Sequence, residues 1–81
     1  MIDVKEAVKI AHDYFNTLFP RKPLVGLEEA ELTEDERHWL ITLSSTEVAP
    51  LPWLPGTKQY KRFKIDAQTG KVLSMQIRNV Q

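Results

Sequence analysis

Apolar residues recur along residues 3–19 at Val4, Ala7, Val8, Ala11, Phe15 and Leu18, three or four positions apart. That spacing draws a single apolar stripe along a helix. Asp3 suits the N-cap, and Glu6 three residues on completes a capping box, with Ile2 and Ala7 at the staple positions. Lys5, Lys9, His12 and Asp13 fall mostly on the other side. Pro20 and Pro23 end the helix, because proline lacks the N–H and restricts the residue before it. A helix with one apolar stripe needs a surface to cover, and the rest of the chain reads as a sheet.

Residues 24–32 (LVGLEEAEL) form a first strand in which Gly26 marks a bulge. The polar stretch Thr33-Glu34-Asp35-Glu36 turns the chain. Residues 37–46 then alternate, with Trp39, Ile41 and Leu43 on one face and His38, Leu40, Thr42 and Ser44 on the other. Period two with β-branched and aromatic content predicts a strand. Residues 47–57 hold three prolines and a glycine, which excludes a helix or a central strand and predicts a long loop. Residues 58–66 and 71–79 are the last two strands, with Phe63 and Ile65 sharing one face and Leu73, Met75 and Ile77 another. Between them Asp66 and Gly70 suit a tight turn: aspartate bonds its own downstream backbone and glycine supplies positive φ. Short turns join the first to the second strand and the third to the fourth, so these pairs run antiparallel. The fold class is α+β: one N-terminal helix packed on a curved four-stranded antiparallel sheet, in the order α-β-β-β-β. Residues 1–81 read as a single domain without internal repeats.

Composition narrows the function classes. A chain of 81 residues buries only about 60–65% of the surface its unfolded form exposes, leaving little room for a deep, water-excluded site. Eleven Lys and Arg balance eleven Asp and Glu, which argues against bulk electrostatic binding to nucleic acid or anionic lipid. With no cysteine there is no disulfide, thiolate nucleophile or cysteine metal site. No stretch approaches the roughly 20 apolar residues of a membrane span, and the N-terminus lacks the pattern of an export signal, so a soluble, cytoplasmic protein is expected.

Candidate chemistry is sparse. His12 and His38 stand on polar faces without partners at metal-ligand or acid–base spacing, and read as surface histidines. Ser44, Ser45 and Ser74 lack the sequence context of a nucleophile. Neither an enzyme nor a cofactor or metal site is expected. The acidic run Glu28, Glu29, Glu31, Glu34, Asp35, Glu36 does not match a calcium loop. It pairs across the sheet with the basic run Lys58, Lys61, Arg62, Lys64 if the two lie on neighbouring strands. Tyr60 and Phe63 interleave that basic run as in a nucleic-acid surface, but the run is short and the chain neutral, so nucleic acid is disfavoured. The loop PLPWLPG is the most informative irregular piece. Leu51, Trp53 and Leu54 are large and apolar, and the prolines stiffen the backbone around them, which lowers the entropy lost on docking. Trp53 serves either as such an anchor or as a cap on the open end of the core, the latter favoured by the usual burial of tryptophan.

The stretch Tyr60-x-x-Phe63-x-Ile65-Asp66-Ala67-x-Thr69-Gly70-Lys71-Val72-Leu73 resembles the closing hairpin of PepSY domains, with an aromatic-apolar strand, an Asp-Ala-x-Thr-Gly turn and a Val-Leu strand. The upstream order of an Ala- and Val-rich helix, a strand and a Trp-bearing strand (Trp39-Leu40-Ile41) agrees. The resemblance implies a small non-enzymatic module of the kind found in protease propeptides and envelope proteins. The layout is also similar to the cystatin and monellin type of fold. The Gln-x-Val-x-Gly loop of cystatin inhibitors is absent, however, and Pro52-Trp53 lies in a different loop from theirs. In layout the chain is similar, too, to small nuclear-transport-factor-like immunity proteins of bacteria.

The function expected from these readings is protein binding, with modulation of a peptidase or another partner. The alternative is a cytoplasmic immunity protein that neutralises a toxin enzyme. The expected contacts are Leu51, Trp53, Leu54, Tyr60 and Arg62. A homodimer through a sheet edge or by strand exchange across the 47–57 loop is a further expectation.

Overall fold

A computed structural model of the chain describes residues 1–20, 25–47, 53 and 57–78. Helix α1 (Val4–Leu18) precedes strands β1 (Val25–Leu32), β2 (His38–Glu47), β3 (Thr57–Asp66) and β4 (Val72–Arg78). The strands form one open antiparallel sheet in the order β1-β2-β3-β4, the α-β-β-β-β layout expected from the alternation.

Asp3 caps α1 in extended backbone, its carboxylate accepting the Glu6 N–H at 2.8 Å. Ala7, Ala11 and Phe15 meet the sheet and are fully buried; two alanines in that row let the helix backbone approach closely. Val4 and Leu18 belong to the same stripe but are exposed. They stand at the two ends of the helix, and a straight helix follows a twisted sheet only over its middle. Ile10 and Phe19 pack against the core instead. Phe19 closes the helix, its N–H donating to the Phe15 carbonyl at 2.8 Å, and Pro20 follows. Pro23, the second expected breaker, lies outside the described residues. The chain ahead of α1 is tied to the sheet: the Ile2 N–H donates to the Ala67 carbonyl at 2.7 Å, and the Trp39 indole donates to the Ile2 carbonyl at 3.1 Å.

Ile41, Leu43, Phe63 and Ile65 complete the core from β2 and β3. The Tyr14 and Phe63 rings meet edge to face at a centroid distance of 6.0 Å. α1 lies across β1, β2 and β3. Two bulges set which side chains it covers. One falls in β1 between Leu27 and Glu29, two residues beyond Gly26, where the sequence suggests it. Gly26 answers to close approach, since a Cβ there would stand 3.2 Å from the Ser44 hydroxyl. The other bulge is in β4: Lys64 pairs with Ser74, but Ile65 pairs with Val72. That slip inserts Leu73 as an extra residue, turns Val72 toward the core and leaves Leu73 46% exposed. Leu73 therefore does not share the inner face with Met75 and Ile77. Ile77 keeps the inner parity but is 61% exposed, because it lies beyond the strands α1 covers.

The turn between β3 and β4 is built as its residues demand. The Asp66 carboxylate accepts the N–H groups of Gln68 and Thr69 at 2.8 and 2.9 Å, and Gly70 takes φ +76°. Those two bonds hold the Asp66 carboxyl below its ordinary range, the Thr69 N–H contributing most. In the first turn, the Asp35 carboxylate accepts the Thr33 hydroxyl at 2.6 Å and the Arg37 N–H at 3.1 Å, which lowers its pKa in the same sense.

Candidate functional site

The sheet turns one face to α1 and the other to solvent, and cross-strand partners share a face. The outer face carries Leu40, Thr42 and Ser44 on β2, opposite Lys64, Arg62 and Tyr60 on β3. On its other side β2 pairs with β1, which sets Glu31 beside Leu40 and Glu29 beside Thr42. The acidic and basic rows are thus not neighbours, as a cross-sheet ladder would need, because β2 separates them. They form two rungs, Glu29–Thr42–Arg62 and Glu31–Leu40–Lys64, with acid and base on opposite sides of a neutral strand. One pair bridges the gap. Glu28, set free by the β1 bulge, accepts the Lys58 ammonium at 2.9 Å and the Ser44 hydroxyl at 2.8 Å. The Lys58 hydrogen bond, then that from Ser44, lowers the Glu28 pKa, and Glu28 in turn raises that of Lys58.

Tyr60 and Arg62, two of the expected contact residues, stand on this face. The Lys58 ammonium lies 5.3 Å from the Tyr60 ring centroid. Arg62 lines a shallow groove of about 120 Å³ with Leu40, Lys64, Ser74 and Gln76. Trp53 belongs to the loop beyond the last β2–β3 pair, Glu47 with Thr57, and is 75% exposed. It is an exposed indole and not a lid on the core; the core already ends on Phe15 and Phe19 at this end of the helix. Leu51 and Leu54 lie outside the described residues.

Lys61 departs from the basic run in which the sequence places it. It is 2% exposed, with its ammonium 4.8 Å from the Phe19 ring centroid and 5.3 Å from that of Phe15. It also donates to the Gln59 side-chain oxygen at 3.2 Å. The signal was parity: Lys61 is two residues from Phe63 and four from Ile65, so alternation turns it inward despite its charge. Its stem packs between aromatic rings while the cation uses their faces. The neighbouring Ser45 hydroxyl is buried without a hydrogen-bond partner.

His12 is paired on its own helix with the Asn16 amide at 3.1 Å. Among the described residues no group of three or more His, Cys, Asp or Glu is placed to hold a metal ion, and no helix is long and apolar enough to cross a membrane. Among the described residues the arrangement offers surfaces for contact: an exposed indole, a basic and aromatic strand face, and two sheet edges without a described strand partner.

Comparison with known proteins places these features in a family. The family described as peptidase propeptide and YPEB domain matches residues 1–76, from the chain start through all of α1 and most of β4. A highly reducing polyketide synthase of Aspergillus aculeatus is 35% identical over 72 residues, which is 89% of this chain and 3% of that protein. The chain therefore spans a small part of that relative. No solved structure matches the chain.

Proposed function

The chain belongs to the PepSY family, and from that premise we propose that it is a non-enzymatic binding module which docks on a protein partner through the β2–β3 hairpin and modulates it. The family description names peptidase propeptides, so a peptidase is the first partner class to test. The observation that carries the reading is the exposure of Trp53 at the end of that hairpin. A tryptophan contributes a large contact area with few rotatable bonds, and Pro50, Pro52 and Pro55 around it restrict the backbone before docking. Tyr60 and Arg62 extend the same hairpin along its outer face, supplying an amphipathic ring and a fork of hydrogen-bond donors on β3. Leu51 and Leu54 join Trp53 as apolar contacts.

The test is capture from native lysate with the unaltered protein, Trp53→Ala and Leu54→Ala as baits, followed by a peptidase assay on the captured partner with and without added bait. Loss of the partner from the Trp53→Ala bait, with a changed rate on adding the unaltered protein, supports the reading. Equal capture by all three baits removes the hairpin end from it. A captured toxin enzyme without peptidase activity points to the immunity reading instead.

A further inference from the structure

Among the described residues the sheet ends on β1 and β4, and no other strand described pairs the outer backbone N–H and C=O groups of either. The two are not alike. Beside β1, α1 leaves open an apolar groove of about 290 Å³ lined by Val4, Lys5, Val8 and Leu27. Leu27 is 52% exposed on the floor of this groove, although it sits on the helix side of the sheet. Ala30, also on that side, is exposed and small. The opposite face of β1 carries Glu29 and Glu31, both exposed and without an ion-pair partner among the described residues. Glu28 differs, being held by Lys58 and Ser44.

We infer that β1 and α1 together form a second docking site, which takes an extended segment of a partner protein as a fifth strand paired antiparallel to β1. Side chains of an added strand alternate between faces. One set fills the groove among Val4, Val8 and Leu27. The other set comes opposite Glu29 and Glu31, and lysine or arginine there completes the charge. The occupant is thus a segment that alternates apolar and basic residues. A second copy of the chain paired β1 to β1 fits poorly, since it brings two glutamate rows together. An anionic membrane is repelled by the same row.

The probe is a synthetic peptide of alternating valine and lysine, titrated into the isotope-labelled protein and read by backbone amide shifts and exchange. Two control peptides accompany it, one N-methylated at alternate residues and one with glutamate for lysine. Binding shifts and protects amides of residues 25–32 and shifts Val8. N-methylation, which removes the strand's donors without touching the protein, weakens binding about tenfold or more. The glutamate peptide binds the Glu29→Lys, Glu31→Lys double variant in preference to the unaltered protein. Trp53→Ala binds the valine–lysine peptide unchanged, which separates this site from the hairpin end. Equal binding of the N-methylated peptide, shifts confined to the outer face of β2 and β3, or a glutamate peptide that binds as well as the lysine one overturns the inference.

Discussion

Gly70 and Asp66 carry the closing turn by different means. Gly70 holds φ +76°, and a Cβ placed there would approach the Ile10 Cδ1 to 3.0 Å. Gly70→Ala is therefore expected to lose about 1–2 kcal/mol, read as a lower denaturation midpoint with unchanged slope. Asp66 acts through charge. Its pKa lies below the ordinary value, so its contribution is present above the unfolded pKa and is lost as pH falls through the folded one. Asp35 and Glu28 act in the same sense, whereas Lys58, with a raised pKa, contributes below its unfolded pKa and loses that contribution as pH rises through the folded one. Stability is thus expected to hold from neutral pH toward the ordinary lysine range and to decline on entering the acidic carboxylate range. Asp66→Asn keeps an oxygen that accepts the two N–H bonds, so the turn survives while the acid limb flattens. Unfolding measured across that range checks this, and an unchanged acid limb would count against the role given to Asp66. In the core, Phe63→Ala removes a fully buried ring that Tyr14 also meets, and is expected to cost about 3–5 kcal/mol by chemical denaturation.

Among the elements, the helix and β2 were the most legible in the sequence because their apolar residues keep period, whereas β1 is weakly patterned. The Asp3 cap, the inward row Trp39, Ile41, Leu43 and the Asp66–Gly70 turn stand where the pattern puts them. What the pattern missed follows from two physical facts. A bulge changes parity without changing composition, and Val72-Leu73 reads equally well with either residue inside. Charge also hides an inward position, as at Lys61, where aromatic rings receive the cation. Of the candidate contacts, Tyr60 and Arg62 were named from the basic, aromatic run, and their outer-face position comes from the strand register; a loop has no period to tell an exposed Trp53 from a buried one. The β4 assignment has its own test. Leu73→Lys is expected to change stability by less than about 0.5 kcal/mol, since the bulge turns that side chain outward. Val72→Lys, placing a charge toward the core, costs several times more. Equal losses would put Leu73 inside.

Among the described residues the helix packs on three of the four strands, which leaves an exposed indole at one end and the outer sides of β1 and β4 without a described strand partner. PepSY membership agrees with a module that acts by contact. The most direct measurement of that claim is the fluorescence of Trp53 alone, in a Trp39→Phe variant, before and after addition of the captured partner. The account predicts a water-like emission open to soluble quencher in the free protein, then a blue shift and protection in the complex. Emission and quenching that stay the same while the partner binds would place the contact elsewhere and contradict the role given to the hairpin.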